Sequence, residues 1–556
     1  GCSALLEYDD VDFDEEDGSA GASDAGTGGS GGVGGTGGSG GVSGTGGSSG
    51  GPSGTGGDSP DASGESGTTD ADPPDTATEG SAGCSVACDD GNPCNGVEAC
   101  DPATGQCAAG QPVVCDDGNP CNGVETCDSG TGQCVAGQPI VCDDGDPCNG
   151  LETCDPATGG CAGETFPACP AAPPECNQPG GAGPTAGKVT SAQAGGFRLY
   201  DENQWSFAEG VIAQIGSHPS ASVVSMASVL ANLNRTAQKV SNVSGTECFN
   251  TGFAWNSGDN DVTYWYPQGI SGTGDGYASG DYQGRKVGIV SWYHKPENDS
   301  STSVNKGVRV AIYDVTDMNS IQYRLALLVK PVMSGTTPTF EPVRIHAGGI
   351  VWYGNYLYVA DTSQGFRVFD LTRILEVKTG NNDWVGKVSE AEGYHAYNYR
   401  YAIPEVSRYR RCSSSCCARF SFVSLDRSTS PHSFLAGEYS AGNITGRMHR
   451  WPLDEASGRM RVVSGRVQAS EAVFPGVGNM QGGFSWNGTY FASCSGSPLG
   501  LHIGAVGQNT VKRGWPYGPE DLHYAPASDN LWSLTEHPGS RYVFSVKRAS
   551  IQSGCP

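Results

Sequence analysis

Five polar side chains recur at matching places in a degenerate theme. Gln268, His346, Gln481, Glu520 and Asp521 stand in Pro267-Gln268-Gly269-Ile270, His346-Ala347-Gly348-Gly349-Ile350, Met480-Gln481-Gly482-Gly483-Phe484 and Pro519-Glu520-Asp521-Leu522. Each stretch leads into an alternating aromatic run. Brought together around one axis, two carboxylates, an imidazole and two amides would ring a cation or a polar ligand. The competing and commoner use of such side chains is to bond the backbone of a neighbouring strand.

Other candidate chemistry is weaker. His395, His432, His449, His502 and His523 are scattered, with no HExxH spacing. The stretches GISG and GFSW do not make the GxSxG turn that exposes a nucleophilic serine. Arg408, Arg410, Arg411 and Arg419, with Tyr409 and Phe420 beside them, offer a basic patch for an anionic ligand, or an exposed loop. Trp292, Trp352 and Trp532 suit sugar stacking only if exposed; core packing is their default.

Cysteine is abundant, at 22 residues in 556. Residues 84–176 hold a repeat with a period of 27, starting at Cys88, Cys115 and Cys142. Four cysteines recur per copy: Cys88, Cys94, Cys100 and Cys107; Cys115, Cys121, Cys127 and Cys134; Cys142, Cys148, Cys154 and Cys161. With only single Val, Ile or Leu residues between its turns, such a unit has no core, so disulfides must hold it. Their pairing does not follow from spacing. Cys248, Cys412, Cys416, Cys417, Cys494 and Cys555 are six more disulfide candidates. Zinc at 412–417 lacks a matched second pair of thiols. The Asp pairs 89/90, 116/117 and 143/144 contain the hard oxygens that calcium takes, but not in an EF-hand spacing. Asx turns are the reading preferred here.

The elements around these residues are unevenly spread. Residues 18–80 are almost entirely Gly, Ser, Thr, Ala and Asp, a flexible coil with nothing to bury. Gly1-Cys2-Ser3 has the form of a bacterial lipobox end, which makes Cys2 a lipidation candidate and the membrane a partner through that anchor. The formal net charge of −28 argues against a nucleic-acid partner. Residues 1–83 are therefore expected to be anchor and disordered stalk, 84–176 the repeats, 177–196 a linker and 197–556 the folded domain.

In that domain a helix is expected over 221–240, with Val223, Met226, Val229, Leu230 and Leu233 on one face. Strands dominate afterwards. Three in a row are expected over 348–371, and further ones over 285–293, 307–315, 323–331, 419–426, 432–440, 482–495 and 521–546. Repeated aromatic hairpins starting from a glycine-rich strand read as an all-β β-propeller of five or six blades, rather than a two-sheet sandwich.

Residues 84–176 resemble the cysteine-rich repeats of large exported myxobacterial proteins, through CDDGNPC and CDPATGQC. VTYWYPQGISG, IHAGGIVWYGNYLYVADTSQGFRVFDL and PEDLHYAPASDNLWSLTEHPGSRYVFSV resemble a family of exported actinobacterial proteins of unknown function, over about 250–548. Both resemblances imply display outside the cytoplasm; the second implies a propeller and brings no catalytic residues. The expected function is a lipid-tethered propeller that binds an extracellular glycan or protein. The alternative is an extracellular propeller hydrolase or lyase acting on a polymer, with an axial metal; no cofactor is required by the sequence, and calcium is the candidate.

Overall fold

The computed structural model describes residues 88–101, 103–135, 137, 140, 153–155, 157–162, 183–411, 417–497 and 499–555. Cys2, the stalk, Cys142, Cys148, Cys412 and Cys416 lie outside these residues.

The repeats are built from turns. Asp89 Oδ1 accepts from Gly91 N at 2.8 Å, Asp90 Oδ1 from Asn92 N at 2.9 Å, and Asn92 Oδ1 from Cys94 N at 3.1 Å. The second copy repeats this at Asp116 and Asn119. The preferred Asx reading of these residues holds: short side-chain acceptors bond the backbone two residues on. Each copy then closes a short hairpin of two-residue strands, Ala99–Cys100 with Cys107–Ala108, Thr126–Cys127 with Cys134–Val135, and Thr153–Cys154 with Cys161–Ala162. Val97 and Val124 are 91% and 84% exposed, so the expected lack of a core is real. Disulfides substitute. Cys88–Cys107 and Cys115–Cys134 close the first and last cysteines within a copy, while Cys94–Cys127 and Cys121–Cys154 stitch one copy to the next. Cys100 and Cys161 are also disulfide-bonded. Each bridge constrains the unfolded chain by about 3 kcal/mol.

The strands of the C-terminal region group into five four-stranded antiparallel blades, of which blades 1 and 2 are joined in one sheet by the parallel pairing of Gln322–Ser334 with Tyr401–Arg411. Blade 1 comprises Trp265–Gly272, Val287–His294, Val308–Asp314 and Gln322–Ser334. Blade 2 comprises Ile350–Tyr353, Tyr356–Asp361, Gly365–Asp370 and Tyr401–Arg411. Blade 3 comprises Phe422–Asp426, Ser433–Gly437, Met448–Asp454 and Glu471–Phe474. Blade 4 comprises Met480–Trp486, Thr489–Cys494, Gly500–Ala505 and Val511–Arg513. Blade 5 takes Pro519–Ala525, Asn530–Thr535 and Tyr542–Lys547 from the C-terminal end, and its fourth strand, Phe249–Ala254, from far upstream. That exchange closes a five-bladed β-propeller, and the Cys248–Cys555 disulfide lies beside the closure.

The first strands of the blades touch in turn. Ser291 Oγ accepts from Gly269 N in blade 1 and donates to Ala347 O, just before blade 2. A Cβ on Gly349 of blade 2 would stand 2.2 Å from Val423 N of blade 3, so only glycine fits there. Ser421 Oγ donates to Met480 O, joining blades 3 and 4. A Cβ on Gly482 of blade 4 would meet Asp521 Cα of blade 5 at 2.7 Å. Asp521 Oδ2 accepts from Ile270 N at 3.2 Å, which brings blade 5 back to blade 1.

Apolar side chains alternate outward from each strand and meet those of the next blade. Five buried clusters result. Leu328 and Trp352 meet between blades 1 and 2; Val351 and Phe434 between 2 and 3; Phe422 and Met480 between 3 and 4; Phe484 and Leu522 between 4 and 5; Leu534 and Trp292 between 5 and 1. Burial of one such Leu contributes about 2 kcal/mol.

The helix expected over 221–240 is not formed. Ala221–Val224 is a strand paired with Ile374–Val377, only Met226–Leu230 is helical (α2), and Arg235–Thr236 and Gln238–Val240 are strands. Edge pairing satisfies the backbone of the β-branched residues better than a lone helix does. The longer helix is α1, Trp205–Ser217, which buries Trp205, Ala208, Val211, Ile212 and Ile215; Gly210 and Gly216 obscure it in the sequence.

Candidate functional site

Four of the five sequence candidates share one end of the propeller, where the first strands begin. Glu520 is 1% exposed, and its Oε1 is enclosed without a hydrogen-bond partner. Burial, then the charge of Glu536, pushes its carboxyl well above the usual range. Glu536, just after the second strand of blade 5, is also raised by burial, against the pull of His537 and Lys295. Gln268 is buried and donates its Nε2 to Pro267 O at 2.9 Å and to Glu536 Oε2 at 3.2 Å. Gln481 is buried beside Gly482.

His346 packs against Tyr293 with the ring centroids 4.5 Å apart and the planes tilted by 35°, and burial with nearby Lys295 pushes its pKa down to about 4. It is therefore neutral at pH 7. The Lys295 ammonium lies over the rings of Tyr266 and Tyr293 at 4.9 and 5.5 Å. Glu520 and Glu536 also raise the Tyr439 hydroxyl, after burial. Lys295, Tyr439 and Glu536 all follow the second strand of their blades, 1, 3 and 5. Sequence reading missed them because it looked only at first-strand starts; their shared place after a second strand is the signal that finds them.

Asp521 has a different place. It is fully buried, and its Oδ2 accepts from Ile270 N of blade 1 and from Ile350 N of blade 2, at 3.2 and 3.3 Å. A blade 5 side chain thus reaches the strands of two other blades and occupies the middle of the ring. Its Oδ1 has no partner, and burial raises its carboxyl well above the ordinary range. Asp521 therefore follows the structural use weighed against ligand binding, whereas Gln268 bonds only its own strand and the Glu536 side chain, and Glu520 keeps a free acceptor at the end of the ring.

At the other end Ser271 Oγ donates to Asp275 Oδ2 at 2.7 Å, and His523 Nδ1 shares that oxygen at 2.6 Å. The carboxylate, not the imidazole, stands between the other two, so the order is not that of a hydrolytic triad, in which the imidazole sits on the serine. Trp352 N donates to Ser271 Oγ, which makes the set a fastener between blades 1, 2 and 5.

The remaining candidates are mostly absorbed by the fold. Arg408 pairs with Glu405 and Arg410 with Glu202, while Arg411 donates to Ser363 O, so two of the four arginines of the basic patch are held by carboxylates of the fold. Trp292, Trp352 and Trp532 are buried, as are His395, His449, His502 and His523. Cys417 is disulfide-bonded, against a zinc role for that thiol. Cys494 corrects an expectation: it is a free thiol, buried in the cluster between blades 3 and 4 among apolar side chains. Its environment is apolar, and burial raises its pKa, so it behaves as a small hydrophobe. A groove of about 780 Å³ opens among Asp201, Tyr409, Asp454, Glu455 and Arg459, away from the ring.

No family model and no curated protein matches this chain. Among solved structures, the crystal structure of the β-propeller domain of Cps50 (Swd1) from Myceliophteria thermophila is similar over 52% of this chain and 98% of that one, with 10% identity and a TM-score of 0.26. No helix among the described residues is long and apolar enough to cross a membrane. The disulfides fit an oxidising compartment.

Proposed function

We propose that this protein is an exported binding head, tethered to a membrane through a lipid on Cys2, and that the first-strand end of its propeller takes a hydroxyl-rich ligand, an extracellular glycan. One observation carries the reading. The buried Glu520 keeps an unpartnered oxygen in a setting where Gln268, Glu536 and Tyr439 add further polar groups and Tyr266 and Tyr293 add rings. Acceptors beside aromatic rings suit a sugar, whose hydroxyls donate and whose C–H faces pack on rings. The ring below is filled by Asp521, so a ligand is held at the end of the barrel rather than inside it. The resemblance of the repeats to those of exported proteins supports the location.

The full chain, applied to a glycan array, is expected to bind a restricted set of glycans. Glu536→Gln and Gln268→Leu should each weaken that binding at least tenfold without loss of the near-ultraviolet spectrum of the folded propeller. Binding unchanged in both variants would overturn this site. A mass for the native N-terminal peptide that shows an unmodified Cys2 thiol would remove the lipid tether.

A hydrolase or lyase reading is favoured by one feature, the raised carboxyls of Glu520 and Glu536. A carboxyl kept protonated near neutrality can act as a general acid. Release of new chain ends from a bound polysaccharide, lost in Glu520→Gln, would establish it in place of simple binding.

A further inference from the structure

The repeats carry a second kind of site, independent of the propeller reading. In the first copy one carboxylate oxygen from each of Asp89, Asp90 and Glu98 lies within 4.8 Å of the others. The second copy gathers Asp116, Asp117 and Glu125 in the same way. Like charges so close repel unless something neutralises them. No Lys or Arg occurs anywhere in residues 84–176 to do so.

A neutral side chain adds the deciding observation. Asn95 Nδ2 donates to Asp90 Oδ2 at 2.8 Å, and this leaves Asn95 Oδ1 fully enclosed with no hydrogen-bond partner. Glu98 Oε1 is enclosed and unpartnered as well. The second copy reproduces every part: Asn122 Nδ2 donates to Asp117 Oδ2 at 2.8 Å, and Asn122 Oδ1 and Glu125 Oε1 are enclosed without partners. An enclosed oxygen without a donor is costly, and a module with no apolar core has little to offset it. The Asx turns use Oδ1 of Asp89 and of Asp90; Asp89 Oδ2 lies outside those bonds, and Asp90 Oδ2, which accepts from Asn95, keeps a second lone pair.

We propose that each of these two repeats binds one calcium ion, held by Asp89, Asp90, Asn95 and Glu98 in the first and by Asp116, Asp117, Asn122 and Glu125 in the second. The donor set is oxygen only, three carboxylates and an amide carbonyl, with waters completing the six to eight ligands calcium takes. Zinc is excluded as the preferred ion because the neighbouring sulfurs are spent in disulfides and no imidazole is present. Magnesium, which holds its own waters tightly, gains less from such a set. The ion ties the Asp turn to the start of the hairpin, adding to the Cys88–Cys107 bridge that joins the same two segments.

The test is calcium titration of the full, disulfide-bonded chain after chelator treatment, followed by calorimetry. Saturable uptake is expected, with a midpoint on the order of 10⁻⁴–10⁻³ M, the range of extracellular modules, and at least tenfold weaker uptake of magnesium. Glu98→Gln and Glu125→Gln should each remove one equivalent and the double variant two, whereas Val97→Ala, an exposed neighbour, removes none. Isotherms that superimpose on the parent, or no uptake at all, overturn the proposal. A second readout needs no variant: saturating calcium should slow reduction of Cys94–Cys127 several-fold, and an unchanged rate also overturns it.

Discussion

The repeats and the propeller solve the same problem with opposite means. The repeats leave Val97 and Val124 in solvent and rely on covalent bridges, two of which pass from one copy to the next. The propeller buries Trp292, Trp352 and Trp451 completely and holds its ring through close backbone contact, with Cys248–Cys555 beside its closure. A short repeat has too much surface for its volume to build a core, so it limits the unfolded chain instead; a large domain stabilises its folded state directly.

Reduction should separate the two regions most sharply. With a strong thiol reductant the repeats are expected to lose about 3 kcal/mol per bridge, and so their fold, while the propeller keeps its near-ultraviolet spectrum. Limited proteolysis checks this; cleavage of both regions at one reductant concentration would break the contrast.

Within the propeller, the contact between first strands should matter next. Gly349→Ala places a carbon where Val423 N now stands, 2.2 Å away, and is expected to cost about 3 kcal/mol or more in urea unfolding. Asp521→Ala leaves the amides of Ile270 and Ile350 without their acceptor, an expected loss of about 2 kcal/mol.

The smallest effect is a pH dependence. Glu520 binds its proton more tightly in the folded state than in the unfolded one. Its contribution therefore favours the fold at acid pH and is lost as the pH rises above the ordinary glutamate range toward neutrality. Glu520→Gln should gain about 1 kcal/mol relative to the parent at pH 8 and little at pH 4, read as the difference between their unfolding midpoints. A gain at pH 4 that vanishes at pH 8 would reverse the assignment.

Much of this was legible one strand at a time. The run from Gly348 to Leu371 reads as three strands, and three are found, because alternation over short distances is set by local chemistry. Blade 3 was harder to see: Ser421-Phe422-Val423 begins its first strand without the glycine and the polar pair that mark the others. The helix at 221–240 failed because its apolar spacing also suits an edge strand, and only the presence of Ile374–Val377 decides between them. Glu520 was found from its place at a first strand, whereas its neighbour Glu536 was invisible, since nothing local says which loops meet.

The 27-residue repeat, its dependence on sulfur, the strand-rich domain and the set of polar residues at strand starts are all properties of neighbours along the chain and can be read from it directly. Which cysteines pair, that the blades number five, and that Asp521 spans three blades while Glu520 faces an acceptor-rich end emerge only from the folded molecule. Those outcomes depend on segments far apart in the chain meeting in space, and the free energy of such contacts is written in no single stretch of residues.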